Sequence, residues 1–552
     1  MNRSLPFLKI HPEDNVLVAL ETLPKGTTIT WSDQTFLLKS TVPTKHKFTL
    51  VPIPEEGLLK MYGVVIGKAK TALESGVSLT TQNVVHATDR YEYQAPSSDW
   101  QAPNVSDWKN RTFLGYHRSD GRVGTRNHWL VIPLVFCENR NTAVLKDALL
   151  EQLGYATDRH FSVNTQLLIE GYRQGKSEAD LLQSNILQDA QSVRQNRIFP
   201  NVDGIKFLTH DGGCGGIRQD SEVLCRLLAA YIDHPNVAGA TVLSLGCQNA
   251  QIQQLQTAID QLNPAFDKPV YYLEQQRSKS ERDFIAQGVK YSFVGMMKAN
   301  ILERRPASLH HLTLGLECGG SDGFSGISAN PALGHTSDLL VALGGSTILS
   351  EFPELNGVEQ ELINRCAAPE KAHKFMQLMQ QYSERAIAVG SGFENNPSPG
   401  NIKDGLITDA MKSAGAAKKG GTSPVVDVLD YTEVVKEVGL NLLCTPGNDV
   451  ESTTGLASAG ANLIVFTTGL GTPTGNPIAP VLKMSSNNLL NERMRDIIDF
   501  NAGKIITGEA TITSVGEDLL ELLIQTASGT YTTQAERLGQ DDFIPWKRGI
   551  SL

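Results

Sequence analysis

The sequence lacks the features that would place the protein in a membrane, on nucleic acid or among disulfide-stabilised folds. No uninterrupted apolar run approaches the roughly 20 residues that a helix needs to cross a bilayer. The net charge is −10 and no run of Lys or Arg is long enough to follow a phosphate backbone, so we expect no nucleic-acid partner and no membrane partner. Seven Cys in 552 residues, an odd number, are not typical of a disulfide framework.

Several short signatures of well-known enzyme classes are also absent. The sequence has no GxxxxGK[ST] phosphate loop, no HExxH zinc motif and no GxGxxG after a predicted strand. P-loop enzymes, HExxH metalloproteases and dinucleotide-binding enzymes are therefore not indicated. The opening MNRSLPFLKIHPEDN lacks the apolar centre of a secretory signal, so we expect a cytoplasmic protein with reduced thiols.

The pattern of apolar and turn residues changes near residue 95. Residues 1–95 hold short extended runs such as DNVLVAL and KHKFTLVPI, separated by turn residues such as those at 24–26. We predict a small β-rich domain there, followed by a polar linker over residues 96–110.

From residue 111 onward, predicted strands alternate with predicted helices. IKFLTH and ATVLSLG are typical strands, and QDSEVLCRLLAAYIDH between them is a typical amphipathic helix. This alternation predicts βαβ units and mainly parallel sheets, an α/β fold class. We expect two Rossmann-like domains, at 111–390 and 391–552, with the break also open over 420–440.

Loops that follow predicted strands hold most of the chemistry-bearing residues. Ligands of open parallel sheets bind beyond the carboxyl ends of the strands. Four cysteines end predicted strands and enter loops rich in Gly, Asn or Asp: Cys214, Cys247, Cys318 and Cys444. A cysteine that closes a buried strand is often only a small hydrophobe, so both interpretations stay open. His210, Glu317 and Asp322 lie in the same loops.

A polar segment at 115–127, GYHRSDGRVGTRN, is dense in hydrogen-bond donors. The guanidinium group matches a carboxylate with two parallel bonds, so the segment predicts a site for an acidic substrate. The alternative is a solvated charged turn. The candidate residues are Arg118, Asp120, Arg122, Arg126 and Asn127.

Two further loops are weaker candidates for substrate binding. Lys403 opens a helix-like run that ends in Lys418-Lys419-Gly420-Gly421, which an ordinary helix end explains slightly better than a site does. Thr468 and Thr472 lie in TTGLGTPTGNP, whose hydroxyl and amide groups could bind an anion or a polyol.

Several of these motifs, in this order, resemble the altronate/galactarate dehydratase family. They are GYHRSDGRVGTRN, FLTHDGGCGG, LSLGCQ, CGGSDGFSGISANPALG, PSPGNIKDGLITD and CTPGNDVESTTG. The resemblance covers the chain from about residue 111 to its end, and residues 1–95 resemble the SAF domain, a β-clip module, of that family. The undivided chain and the ending DFIPWKRG are more similar to the members that dehydrate altronate.

The resemblance implies loss of water from a sugar acid. The expected reaction turns D-altronate into 2-dehydro-3-deoxy-D-gluconate in hexuronate catabolism, with a divalent metal, usually Fe²⁺ and alternatively Mn²⁺. A base takes the C2 proton, an acid helps the 3-hydroxyl leave, and the resulting enol becomes the 2-keto acid. Oriented donors or a metal would stabilise the dianionic intermediate.

The resemblance also suggests roles for particular residues. Arg118, Arg122 and Arg126 would bind the substrate carboxylate, while His210, Glu317 and Asp322 would be acid/base groups or metal ligands. Cys214, Cys247 and Cys318 are the second choice for iron ligands, because thiolates suit soft iron sites. An iron–sulfur cluster stays open, although no CxxCxxC spacing supports it.

One departure from the family pattern concerns the metal. Many members carry His-x-His-Asn near the end of the SAF domain, whereas this chain has Thr80-Thr81-Gln82-Asn83. His86 is the nearest candidate substitute. The missing histidines motivate the alternative of a catalytically inactive sugar-acid-binding protein. A galactarate dehydratase and a sulfo-lyase type of relative are further alternatives, because the sequence does not reveal which acid the pocket accepts. A homo-oligomer also stays open.

Overall fold

The N-terminal region is a small antiparallel β domain. The computed structural model describes residues 5–95, 100–156, 161–189 and 196–549, so residues 96–99 of the predicted linker lie outside it. The strands pair in the orders β1-β2-β5, β3-β4 and β6-β7-β8. Their bounds are β1 (Phe7–Leu8), β2 (Val16–Ala19), β3 (Thr28–Trp31), β4 (Gln34–Leu37), β5 (Lys47–Thr49), β6 (Leu58–Met61), β7 (Val64–Ala69) and β8 (Val84–Val85). Leu17, Ile29 and Phe48 are buried between them, and the predicted β-rich domain is confirmed.

A four-stranded parallel sheet follows, in the order β14-β11-β15-β16. The elements of this region are β9 (Thr112–His117), β10 (Val123–Gly124), β11 (His128–Pro133), α1 (Asn139–Leu150), β12 (Phe161–Val163), α2 (Gln166–Arg173), α3 (Glu178–Leu182), β13 (Leu187–Asp189), β14 (Gly204–Phe207), α4 (Arg218–Asp233), β15 (Val237–Ser244), α5 (Ile252–Leu262), β16 (Val270–Glu274) and α6 (Glu281–Ala299). All residues of β11 and β15 are buried, as expected for strands covered by helices on both faces.

The remaining chain builds a seven-stranded parallel sheet in the order β20-β21-β19-β18-β22-β23-β24. Its region contains β17 (Arg305–Ser308), β18 (Thr313–Cys318), α7 (Ala329–Ala342), β19 (Ser346–Leu349), α8 (Glu359–Arg365), α9 (Pro369–Ala388), α10 (Pro399–Lys403), α11 (Asp409–Ala416), β20 (Val425–Leu429), β21 (Leu440–Leu443), α12 (Asp449–Ser458), β22 (Leu463–Thr468), β23 (Val481–Ser485), α13 (Asn488–Arg493), β24 (Phe500–Asn501), α14 (Ile512–Ala527) and α15 (Gln534–Leu538). The predicted α/β class with parallel sheets is confirmed. The sheet takes β18 and β19 from before residue 390 and the other strands from after it, so it does not divide at the predicted domain boundary.

Strand order defines a crevice in the seven-stranded sheet. The chain passes from β18 to its neighbour β19 on one side, and later strands continue from β22 on the other side of β18. At such a topological switch point the connections diverge and leave room for a ligand beyond the carboxyl ends of the strands. Cys318 ends β18 and Thr468 ends β22, so both belong to this edge.

The two sheets pack into one core with the help of the C-terminal segment. One apolar cluster joins Leu130 and Val242 of the smaller sheet to Phe466 of the larger one. Phe543 packs edge-on against Tyr231 of α4, with ring centroids 5.1 Å apart. Within the described ranges, every helix is too short or too polar to cross a membrane.

Candidate active site

Five ionisable side chains meet at the crevice beside β18. We call Cys318, Glu351, Glu354, Lys412 and Lys419 the switch-point cluster. The Lys419 Nζ donates hydrogen bonds to Cys318 Sγ (2.8 Å) and Glu351 Oε2 (2.7 Å). The Lys412 Nζ lies 2.6 Å from Glu354 Oε1, and Cys318 Sγ donates to Glu354 Oε2 at 3.1 Å. Two cations, two carboxylates and one thiol therefore form a single buried network.

A strained turn after β19 places the Glu351 side chain in this network. Glu351 has a φ of +66°, in the left-handed region that non-glycine residues rarely adopt. Its backbone N–H donates to Thr445 Oγ1 at 2.8 Å, which ties the turn to the end of β21. Such a conformation costs about 1–3 kcal/mol and is found mainly at functional sites.

Burial sets the charge states of the cluster. Burial, and then the negative charge of Glu354, raises the pKa of Glu351. Burial opposes the charge of Lys419, but Cys318 and Glu351 outweigh it and hold its pKa well above the usual value. Burial also disfavours ionised Glu354, yet Lys412 and Lys419 lower its pKa. Both lysines are therefore ammonium groups at neutral pH.

Glu317 lies one residue before the cluster and is fully buried. Its Oε2 accepts hydrogen bonds from Ser350 Oγ (2.9 Å) and Ser452 Oγ (2.7 Å), and its carboxyl group also hydrogen-bonds to Glu351. Burial, followed by the charge of Glu351, raises the pKa of Glu317 well above its usual value. This carboxyl group is therefore held as a neutral acid.

Asp449 reaches the same edge from the first turn of α12. A side chain at Gly319 would place its Cβ 2.4 Å from Asp449 Oδ2, so the glycine leaves the space that this carboxyl group occupies. Burial, and then the charges of Glu351 and Glu354, raises the pKa of Asp449 to about 7. Asp449 remains partly exposed. A reachable carboxyl group with this pKa is suited to general acid–base catalysis near neutral pH.

Three members of the cluster form the group that could hold a metal ion. The donor atoms of Cys318, Glu351 and Glu354 all lie within 4.8 Å of one another. Thiolate and carboxylate donors match a divalent transition metal by type. However, the ammonium groups of Lys412 and Lys419 already bind these donors and neutralise their charge. A dication therefore fits poorly while both lysines are charged.

Asp322 and Thr468, two residues predicted from sequence, lie close to this crevice. Asp322 is fully buried and accepts hydrogen bonds from Ser486 Oγ (2.7 Å) and Asn487 Nδ2 (3.1 Å). The Thr468 Oγ1 accepts from the backbone N–H of Gly471 at 2.9 Å. Together with Glu317 and Cys318, they are the predicted residues that the structure brings together.

The N-terminal domain also contributes to this edge. The Lys45 Nζ lies 3.0 Å from Asp322 Oδ2 and 2.9 Å from Asp404 Oδ1. The buried Lys47 Nζ donates to the Gly405 carbonyl at 2.7 Å, and burial lowers the pKa of Lys47 to about 7. The small β domain is thus connected to the crevice through charged groups.

Lys403, Thr472 and His86 lie outside the switch-point cluster. Lys403 is exposed, and its carbonyl faces His46 Nε2 at 3.1 Å. Thr472 bonds to its neighbour Thr474 through the two hydroxyl groups at 2.9 Å. The His86 Nε2 lies 3.4 Å from Asn356 Nδ2, and burial lowers the pKa of His86. Its donor atoms are not part of the three-donor group that could hold a metal.

The predicted carboxylate-binding arginines are engaged inside the protein. Arg118 donates from Nε to the Pro235 carbonyl at 2.7 Å, and the Arg122 guanidinium lies 2.8 Å from Asp233. Arg126 makes two parallel bonds to Glu536, of 2.8 and 3.0 Å. These donors therefore have acceptors within the protein, and the Arg122 side chain is 40% exposed.

Asp120 and Asn127 of the same segment also form hydrogen bonds within the protein. Asp120 accepts from Arg122 Nε at 2.8 Å. The Asn127 Nδ2 donates to the carbonyls of Asn201 (2.7 Å) and Ala299 (3.1 Å). Both side chains therefore stabilise backbone and side-chain geometry away from the switch-point cluster.

His210, Cys214 and Cys247 lie at the edge of the other, four-stranded sheet. The His210 Nε2 donates to the Pro133 carbonyl at 2.8 Å, and its Nδ1 accepts from the Gly212 N–H at 3.0 Å. Burial lowers the pKa of His210. With both ring nitrogens bonded to backbone, this neutral histidine supports a loop. Cys214 and Cys247 are exposed.

Sequence reasoning missed most of the switch-point cluster. Glu351 and Glu354 follow the buried strand β19, so strand-end position was an available signal for them. Lys419 stood in a run that an ordinary helix end explained slightly better. Asp449 lay in a loop singled out for its cysteine, Cys444, which is buried and outside the cluster.

Comparison with known proteins finds family models and relatives that match nearly the whole chain. Family models match the altronate/galactarate dehydratase SAF domain at residues 5–87, the "D-galactarate dehydratase/Altronate hydrolase, second domain" at 115–300 and the "D-galactarate/Altronate dehydratase, C-terminal" region at 309–551. Altronate dehydratase of Escherichia coli strain K12 is 32% identical, over 99% of this chain and 100% of the relative.

Two further relatives agree. Altronate dehydratase of Bacillus subtilis strain 168 is 33% identical over 99% of both chains. Galactarate dehydratase (L-threo-forming) of Escherichia coli strain K12 is 30% identical over 97% of this chain and 95% of the relative. The chain therefore belongs to the altronate/galactarate dehydratase family and is a sugar-acid hydro-lyase with an N-terminal SAF domain.

Proposed function

We propose that the protein removes water from D-altronate and releases 2-dehydro-3-deoxy-D-gluconate, as a step of hexuronate catabolism. Two relatives named altronate dehydratase match nearly the full length of both chains. The relative named galactarate dehydratase matches slightly less of each chain at lower identity. The substrate is a small anionic molecule, which suits a crevice that contains two ammonium groups.

The main support for this reaction is that charged lysines lie beside carboxyl groups of raised pKa at one edge of the sheet. Dehydration beside a carboxylate needs a base for the C2 proton and positive charge for the enolate that forms. Asp449, with a pKa of about 7 and partial exposure, is the base in this proposal. Lys419 supplies fixed positive charge.

Lys412 is suited to stabilise the departing 3-hydroxyl group. Its side chain is 9% exposed, against 1% for Lys419, so it is the more accessible of the two ammonium groups. Glu317 and Asp322 act in this proposal as positioning residues. Glu317 holds two serine hydroxyls beside the cluster, and Asp322 anchors Lys45 of the SAF domain.

Turnover of defined acids tests the proposal. Protein purified without oxygen is incubated with D-altronate, galactarate or sulfolactate, with added Fe²⁺ or Mn²⁺, and 2-keto acid formation is measured. We expect the highest kcat/KM with D-altronate, and loss of the product in Asp449→Asn but not in Glu451→Gln from the same helical turn. A higher kcat/KM with another acid overturns the substrate assignment.

An inactive binding protein is the alternative from another class. The residues at 80–83 lack the two histidines found in many relatives, which is the observation that favours it. The intact cluster of Cys318, Glu351 and Lys419 argues against it. Binding of D-altronate by calorimetry, with no product from any of the three acids at either metal, would establish that alternative.

We also infer a domain division different from the one expected at residue 390. Helix α6 ends at Ala299, and the strands of the larger sheet begin at Thr313. The second and C-terminal family models end and begin at residues 300 and 309. A boundary within 300–312 keeps each parallel sheet inside one unit. Fragments divided within 300–312 are expected to keep more ordered secondary structure by circular dichroism than fragments divided near residue 390, because the latter division splits the seven-stranded sheet.

A further inference from the structure

Three exposed cysteines share the carboxyl edge of the four-stranded sheet. Cys137, Cys214 and Cys247 are exposed, whereas the other four cysteines of the chain are buried. They follow β11, β14 and β15, which are neighbours in the sheet. Exposed free thiols are open to oxidation, and chance does not readily place three of them at one edge. Their shared position points to a common ligand.

Backbone hydrogen bonds hold the three cysteine-bearing loops together. The Phe136 N–H donates to the Gly212 carbonyl at 3.1 Å, and the Asn249 N–H donates to the Gly213 carbonyl at 3.0 Å. These residues lie one or two positions from Cys137, Cys214 and Cys247. The three loops are therefore built as one surface.

A glycine next to Cys214 makes this close approach possible. Gly213 has a φ of +92°, and a Cβ there would lie 2.0 Å from the Leu134 carbonyl oxygen. The buried His210 bonds to Pro133 and Gly212 and so connects the same two loops. A glycine, a buried histidine and the backbone bonds thus bring the Cys214 loop against the Cys137 loop.

The sulfur spacing is informative about the ligand. Two sulfurs bound to one ion at about 2.3 Å cannot lie more than about 4.6 Å apart. Among the described residues, Cys137, Cys214 and Cys247 do not form a group whose donor atoms all lie within 4.8 Å of one another. The three sulfurs therefore do not all meet at one ion, whereas a cluster of several iron atoms offers each sulfur an iron of its own. Thiolates are the usual ligands of iron–sulfur clusters.

We propose that Cys137, Cys214 and Cys247 bind an iron–sulfur cluster, with one iron left without a cysteine ligand. Each thiol loses its proton to solvent as its sulfur binds iron. The Gln276 side chain donates from Nε2 to Cys247 Sγ at 3.3 Å. Hydrogen bonds of this kind to ligating sulfurs adjust the reduction potential of a cluster.

The C-terminal segment connects this edge to the carboxyl edge of the larger sheet. The Gly549 N–H donates to Asp220 Oδ1 at 3.1 Å, in the first turn of the helix that follows the Cys214 loop. Arg548 pairs with Asp430, just beyond the end of β20, at 2.6 Å. The C-terminal segment therefore contacts both carboxyl edges. That the open iron binds a hydroxyl or carboxylate group of the sugar acid rests on the proposed function.

This placement also accounts for the poor fit of a dication at the switch-point cluster. Cys318 is buried and bonded to Lys419 and Glu354, so its sulfur already has partners. The exposed cysteines, in contrast, are accessible to iron and sulfide from solvent. Iron therefore belongs at the smaller sheet in this proposal, and Cys318 belongs to the acid–base network.

The proposal is tested by measuring the iron and sulfide bound by cysteine variants. Full-length protein is purified without oxygen and reconstituted with Fe³⁺, sulfide and excess dithiothreitol, which reduces part of the iron to Fe²⁺. Iron, acid-labile sulfide, visible absorption and the electron paramagnetic resonance signal after reduction are then measured. We expect Cys137→Ser, Cys214→Ser and Cys247→Ser each to lose labile sulfide at least about tenfold. Cys366→Ser, a buried control, and Cys318→Ser are expected to keep it. Circular dichroism checks that each variant is folded.

Other outcomes overturn the inference. Iron bound without sulfide, sulfide retained in all three variants, or an equal loss in Cys366→Ser would each contradict it. Turnover by protein free of iron and sulfide would overturn the cluster but leave the proposed function intact. A cluster-containing protein that dehydrates none of the three acids would overturn the proposed function and leave the cluster site.

Discussion

Lys419 shows how a single buried charge defines the site. Its ammonium group lies between Cys318 Sγ and Glu351 Oε2, and all three side chains are almost fully buried. A buried cation is tolerated only with bonded partners of opposite charge. Removing the cation therefore affects the ionisation of the partners as well as the positive charge available to a substrate.

We expect Lys419→Met to lower kcat/KM by about 10²-fold or more, because preorganised positive charge is lost from the site. Leaving the Glu351 carboxylate without its buried partner should also cost about 3 kcal/mol of unfolding free energy. Turnover of D-altronate and chemical denaturation measure the two effects. The neighbouring Lys418→Met is the control, since Lys418 is 33% exposed and its pair with Glu361 contributes about 1 kcal/mol or less. Unchanged kcat in Lys419→Met contradicts the assignment.

Asp449 predicts a pH dependence. Burial raises its pKa to about 7, so the carboxyl group is protonated below that pH and ionised above it. Only the ionised form accepts the C2 proton, and kcat/KM should therefore rise with pH through about 7. Asp449→Asn should lose this rise and about 10²- to 10⁴-fold in rate. A pH–rate profile with the same rise in Asp449→Asn would identify a different base.

The same carboxyl group links stability to pH. Its folded-state pKa of about 7 lies above the ordinary value of 3.8, so the folded state holds the proton more tightly than the unfolded chain does. Its contribution to stability is present below 3.8 and is lost as the pH rises to about 7. Asp449→Asn should remove this dependence in unfolding curves, while Glu451→Gln keeps it.

At the scale of elements, the arginine-rich segment joins distant parts of the chain. Arg126 follows β10 and makes a two-bond pair with Glu536 of α15, 410 positions away. Its composition suggested substrate binding, because the same guanidinium geometry serves a substrate carboxylate and a protein carboxylate equally well. Only the position of α15 decides between the two.

A double-mutant cycle separates these roles. Arg126→Met and Glu536→Gln should each destabilise the protein by about 3–5 kcal/mol, and the double variant by less than the sum, because the pair is buried. The KM for D-altronate should not change. Arg111→Met, which breaks the exposed pair with Glu521, is the control and should cost about 1 kcal/mol or less. A raised KM with unchanged stability would restore the carboxylate-binding role.

At the scale of the whole molecule, the SAF domain completes the edge of the larger sheet. Lys45 pairs with the fully buried Asp322, in the loop that follows β18. The SAF domain therefore contacts the dehydratase region at this edge, although the residues at 80–83 lack the histidines of many relatives.

Breaking this contact should lower turnover without unfolding either part. We expect Lys45→Met to reduce kcat/KM about 10- to 100-fold, because Asp322 and its loop lose an anchor and the site shifts slightly. Steady-state kinetics and a thermal unfolding curve measure this. Lys39→Met is the matched control in the same domain, since Lys39 is 52% exposed and pairs with the exposed Glu74. Equal activity of both variants contradicts a role for the SAF contact.

The sequence by itself determined the sheets, the β-rich N-terminal domain and the glycine-containing loops at the strand ends. These features depend on local periodicity and turn chemistry, which neighbouring residues specify. It also placed Glu317, Cys318, Asp322 and Thr468 at strand ends, and the structure brings them to one crevice. The family motifs are contiguous segments, so they can be recognised without a structure.

The tertiary structure alone decided which charged groups meet. Cys318 and Lys419 are 101 positions apart, and Arg126 finds its acceptor in Glu536. A buried charge is stabilised by whichever partner the fold places beside it, so its role depends on contacts that are distant in sequence. For that reason Lys419 lies in a buried network with Cys318 and Glu351, whereas Arg126 pairs with Glu536.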